Sequence, residues 1–172
     1  MKKKRIPALL PVLCLTLILI LSGCTDTGNT GNTLEEPEIT VEYLSTEYKD
    51  QLLRDGAVYL FGSIEVITDE NGNPYLKIAE KEYVSDPDMP NGFYIADKNL
   101  SHTYPISPEA RTTHLAGGTS IPNIMDTESF VKAIASDLKL YGESNPEFAQ
   151  YRLYDIYLMG DQVEMILARY IP

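Results

Sequence analysis

The chain has 172 residues, 44% of them hydrophobic and 23% charged, with 14 basic against 25 acidic side chains and a formal net charge of −11. This composition excludes the disordered and collagenous classes and points to one globular domain. Four of the basic residues, Lys2, Lys3, Lys4 and Arg5, sit in a leader unlike the rest. Without it the balance falls to about −15, which argues against unaided binding to nucleic acid or anionic lipid surfaces.

After the basic cluster comes an apolar run from Ile6 to Leu21, interrupted by Pro7, Pro11 and Thr16, and then Leu21-Ser22-Gly23-Cys24. This reads as a signal peptide over residues 1–23. A spanning helix would need roughly 20 apolar residues, more than the run supplies, and the prolines weaken it further. The four closing residues resemble the lipobox of bacterial lipoproteins, L-[AS]-[GA]-C, and match it at every position. The resemblance implies that a diacylglyceryl group with palmitate-type chains is joined to the Cys24 thiol. It also implies that a dedicated peptidase, recognising Leu21, Ser22 and Gly23, cuts before Cys24. Cys14 follows Leu13, where a small residue is needed, and leaves with the leader. No disulfide, zinc thiolate cluster or redox pair is therefore expected within one mature chain. Two acyl chains hold a protein durably at a membrane where one does not. The expected location is the extracytoplasmic side of the cell membrane, with the protein anchored by lipid.

Residues 24–38 hold almost nothing apolar and read as a flexible tether. Residues 39–172 read as one globular domain. Ser45–Arg54 suggests a short helix capped by Ser45 or Thr46, with Tyr48, Leu52 and Leu53 on one side and Gly56 past its end. Ala57–Thr68 and Tyr75–Val84, rich in β-branched and aromatic residues around Asp69-Glu70-Asn71-Gly72-Asn73-Pro74, predict a hairpin. Val58, Leu60, Ile64 and Val66 share one face of its first strand, and Leu76 and Ile78 one face of the second. Asp86–Gly92 is a turn with left-handed backbone at Asn-Gly. Strand-like pieces follow at Phe93–Ala96, Ser101–Tyr104, stopped by Pro105, and Arg111–Leu115. The period then changes: Phe130, Ile134 and Leu138 recur by four behind Asp126, which predicts a capped helix over 126–138 with Gly142 past its end. A second hairpin closes the chain, Tyr151–Met159 and Gln162–Ile171 around Gly160-Asp161.

The order hairpin, strand, helix, hairpin fits a mainly β (α+β) fold, a small OB-like Greek-key barrel with one main helix. An open antiparallel sheet with the helix on one face is the alternative. Asp88-Met89-Pro90-Asn91-Gly92-Phe93-Tyr94-Ile95, Tyr104-Pro105-Ile106 and Arg169-Tyr170-Ile171-Pro172 resemble uncharacterised extracytoplasmic domains of Gram-positive lipoproteins. That resemblance covers roughly residues 57–172, implies an OB-like barrel and carries no chemistry. Where such domains tend to have Trp near the second strand, this chain has Tyr83 and no Trp.

Several constellations invite chemistry. Asp69 to Glu80 has the length of a calcium loop, but Pro74 stands where that loop needs a glycine with positive φ, so the stretch reads as a plain turn. His102 and His114 lie on separate strands without metal-ligand spacing and read as exposed strand histidines. Ser101 and His102, adjacent on a strand, face opposite ways. Gly117-Gly118-Thr119-Ser120 reads as a loop rather than a phosphate nest, having no Lys and no helix directly after it. Tyr151, Tyr154, Tyr157 and Tyr170 crowd the last hairpin, where tyrosine is favoured in strands and an exposed one can stack on sugars or anchor a protein. No catalytic, metal-binding or cofactor-binding set and no cofactor is expected. The sequence thus points to a non-catalytic binding or accessory module of the cell envelope with a protein or glycan partner and no nucleic acid. The alternatives are an extracytoplasmic hydrolase using paired carboxylates such as Asp86 and Asp88, or a weak divalent-cation-binding protein.

Overall fold

A computed structural model describes residues 37–117, 119–142, 145 and 152–171. They belong to one compact unit, Pro37–Pro172. Leu21, Ser22, Gly23 and Cys24, expected to close a signal peptide with a lipobox, the expected tether up to residue 36, Gly118 and Tyr151 lie outside the described residues. Among the described residues no helix is long and apolar enough to cross a membrane.

The fold is mainly β, with one sheet and one main helix. A helical stretch comes first: α1 (Val41–Tyr43), a π-helical turn (Leu44–Tyr48) and α2 (Lys49–Arg54). Its cap is Thr40, whose hydroxyl accepts from the Tyr43 amide at 3.0 Å. Ser45 and Thr46 are not the cap, because their hydroxyls donate back to the Glu42 carbonyl inside the helix. Leu52 is buried, whereas Leu53, expected beside it, is 42% exposed.

The strands are β1 (Val58–Thr68), β2 (Pro74–Ser85), β3 (Phe93–His114), β4 (Asn123–Met125), β5 (Leu153–Met159) and β6 (Gln162–Arg169). β1 is antiparallel to both β2 and β5, β2 to β3, and β5 to β6, while β3 and β6 run parallel. The pairings therefore return to their starting strand through β1, β2, β3, β6 and β5, and β4 flanks β3 outside that ring. The helix α3 (Thr127–Tyr141) lies in sequence between β4 and β5. Its cap is Asp126, whose carboxylate accepts from the Ser129 amide at 2.7 Å.

Gly62 is where β1 changes partner, paired with Glu80 on one side and Tyr154 on the other. An added Cβ there would run into the Ala79 carbonyl and come within 3.2 Å of Glu80 Cα. The absent side chain lets β2 lie close against β1 there. β3 does not stop at Pro105 as expected. That residue is the last to pair with β2, and Ile106, the next, already pairs with β6, so the missing N–H falls at the handover between ladders.

The main core gathers Ile64, Leu76, Ile78, Ile106, Ile156, Val163 and Ile166 of the strands with Phe130 and Ile134 of α3. Leu138, expected on that face, is 36% exposed. A second cluster, Leu44, Leu52, Tyr157, Met165 and Leu167, lies under the first helical stretch. One strand feeds both because the β5–β6 register skips Glu164: Val163 pairs with Leu158 and Met165 with Tyr157. The extra residue shifts the alternation, so Val163 and Ile166 point to one cluster and Met165 and Leu167 to the other.

Candidate functional site

A cleft of about 690 Å³ opens where the β1–β2 turn, the middle of β3, the start of α3 and the start of β6 converge. The turn is built on Asp69, whose carboxylate accepts from the amides of Asn71 and Asn73 and from Asn73 Nδ2, at 2.8 to 2.9 Å. The Asn73 side chain foremost, and then these amides, hold the Asp69 carboxyl below the usual carboxylate range. The stretch is thus the plain turn the sequence suggested, with Asp69 spent on its own backbone. Pro74, Tyr75, Pro105, Ile106, Pro108 and Val131 form the apolar lining. The Thr127 hydroxyl is spent on the Ser107 carbonyl at 3.0 Å. Glu128 and Lys132, one helical turn apart, pair with each other. The side chains of Thr68, Tyr75 and Gln162, by contrast, make no hydrogen bond among the described residues and are available to a ligand.

His114 overturns its expected place on the surface: it is buried, with 2% exposure. Its Nε2 lies 2.8 Å from Asp137 Oδ2, and the Tyr154 hydroxyl lies 3.3 Å from its Nδ1. Arg152 pairs with the same Asp137 oxygen, donates to the Leu115 carbonyl at 2.9 Å and approaches His114 Nε2 at 3.2 Å. Burial pushes the imidazole below its ordinary pKa, and Arg152 adds to this against the upward pull of the Asp137 hydrogen bond. The cluster fastens α3 to β3 and β5. Its polar atoms face one another rather than an open site, so it reads as structural.

His102 is half-buried and meets Glu80, its Nε2 2.6 Å from Oε1, while Lys98 pairs with the other Glu80 oxygen. The Lys98 bond foremost, with help from His102, holds the buried Glu80 carboxyl down against desolvation. Ser101, its neighbour, is exposed. Asp86 and Asp88 sit at the β2–β3 turn, where an Asp86 oxygen accepts from the Asp88 amide at 3.0 Å. Among the described residues no group of three or more His, Cys, Asp or Glu is placed to hold a metal ion. In the loop after β3 the Thr119 amide donates to the Ala116 carbonyl, so it does not face outward as an anion donor. Tyr154 and Tyr157 are buried and Tyr170 is 56% exposed. Burial pushes both the Tyr154 and Tyr157 hydroxyls up to about 12.

Of the ten basic residues after residue 36, seven are paired with carboxylates: Lys49, Lys77, Lys81, Lys98, Lys132, Arg152 and Arg169. Sequence reasoning missed the cleft because its walls come from stretches far apart in the chain, none of which is a motif. Its one legible signal was the cluster of Pro and Tyr at strand ends. No protein-family model, curated protein or solved structure matches this chain.

Proposed function

We propose that the chain is a non-catalytic binding module, lipid-anchored through Cys24 on the extracytoplasmic side of the cell membrane, that holds an envelope glycan in the cleft beside α3. The sequence leaves protein and glycan partners open, and the cleft lining favours the glycan. The observation that carries this is the set of unengaged polar groups, Tyr75, Thr68 and Gln162, above an apolar floor. A sugar presents an apolar face to an aromatic ring and hydroxyls to amides and hydroxyls around it. The charged groups at the rim, Glu128 and Lys132, neutralise each other, which suits a neutral ligand. The pairing of most basic side chains with carboxylates supports a partner other than nucleic acid.

The ring of pairings is best read as a five-stranded Greek-key barrel of the OB type. Three features support this: the parallel β3–β6 pairing, the helix between the third and fourth strands of the ring, and the glycine where the two ladders of β1 overlap.

The ligand is tested by titrating the chain from residue 25 onward with chitotetraose, a neutral N-acetylated sugar, and following amide shifts. Tyr75→Ala and Gln162→Ala should each weaken binding about tenfold, the scale of one lost stack or hydrogen bond. Equal binding by both variants removes the cleft from the reading. The anchor is tested separately. Cys24→Ala should abolish processing and partitioning into detergent, and an unchanged product would overturn it.

A further inference from the structure

The ladder between β1 and β2 ends at Gly62 and Glu80. Beyond it β1 stays with β5 as far as Val58, and β2 stays with β3 as far as Ser85. The two strands diverge around a groove of about 320 Å³, with Tyr59 and Phe61 on one wall, Glu82 and Tyr83 on the other, and Lys98 and Arg169 beside them. In an antiparallel strand alternate residues aim both N–H and C=O to the same side. Alternate residues of Val58–Phe61 and Lys81–Ser85 therefore turn main-chain donors and acceptors into the groove. No strand pairs with them there among the described residues. An edge of this kind is satisfied by another extended backbone.

Charge selects that backbone. The cations around the groove are already held, Lys98 by Glu80, Arg169 by Asp155 and Lys81 by Asp97. The Glu82 carboxylate has no partner among the described residues. Tyr59 and Tyr83 are 44% and 53% exposed. An incoming strand thus meets one uncompensated anion and two aromatic rings, and both features attract Lys or Arg. A second copy of this chain fits poorly, since it would bring a net charge of −11 and its own Glu82 to the same edge.

We propose that the groove between β1 and β2 binds an extended, cationic segment of a partner protein, added as a strand to the free edge of β2, with Glu82 pairing one of its basic side chains. The open edge from Lys81 to Ser85 spans about 17 Å, room for roughly five residues. This site is separate from the cleft beside α3 and does not depend on the glycan reading.

The test titrates the full chain, in neutral detergent micelles, with three blocked hexapeptides. The first alternates Arg and Val, the second has Glu for Arg, and the third has Pro for the central Val. The first should bind saturably with shifts at the amides of Lys81 to Ser85, and the other two at least tenfold more weakly. Glu82→Gln should weaken the first about tenfold, while Glu47→Gln, on the exposed π-helical turn, should leave it unchanged. Four results would each overturn the proposal. They are no binding of the first peptide, equal binding of the proline peptide, equal loss from Glu47→Gln, and a concentration-dependent dimer that protects the same amides.

Discussion

His114 shows how far a single residue's role depends on what arrives from elsewhere in the chain. Strand alternation says which face a residue is on but not whether that face is covered. The cover here comes from Asp137 on α3 and from Arg152 and Tyr154 at the start of β5, all distant in sequence. With its proton on Nε2 the neutral ring donates to Asp137 and leaves Nδ1 to accept from Tyr154. The folded state thus favours neutral His114, and its pKa falls below the unfolded value near 6.5. Between those two values the unfolded chain binds more protons, so the contribution is complete above about pH 6.5 and is lost as pH falls toward the folded value. The slope in that window is at most about 1.4 kcal/mol per pH unit. Urea unfolding at pH 7.5 and 5.5 should show the loss, and His114→Gln should flatten the difference. An unflattened difference would assign the acid sensitivity to other groups.

Among the elements, both hairpins and α3 were legible because their signals are local: turn residues between runs of period two, and an Asp cap before a period near four. What failed needed partners. Thr40 rather than Ser45 caps the first helical stretch because helix entry precedes the apolar run that advertised it. β3 passes through Pro105 because its neighbours change there. β1 carries the sharpest sequence demand of any element. Gly62 lies in mid-strand, and an added Cβ there would meet the Ala79 carbonyl. Gly62→Ala should therefore cost about 1–3 kcal/mol, the range for forcing an extra methyl into a packed site, by displacing β2 from β1. The urea midpoint measures it, and a midpoint equal to that of the parent would mean that the strands part more easily than the register implies.

For the molecule as a whole, a resemblance such as that of Leu21-Ser22-Gly23-Cys24 to a lipobox needs only four contiguous residues, whereas the cleft beside α3 and the groove at β1 are assembled only by folding. The topology has a further consequence at the Asp86–Gly92 turn, which is exposed apart from Asp86 and is closed by Asp86 N to Gly92 O at 2.9 Å and Gly92 N to Met89 O at 2.9 Å. A break there leaves β1 and β2 on one fragment and β3 to β6 with α3 on the other. Each seam of the ring, β1 with β5 and β2 with β3, then joins one fragment to the other. A protease nick at this tip should give two pieces that co-elute in native buffer, separate in urea and recombine when it is removed. The chain is in this sense two interlocking halves, and reconstitution from separately made fragments becomes a direct assay of whether the seams, rather than the covalent turn, hold the ring of pairings closed.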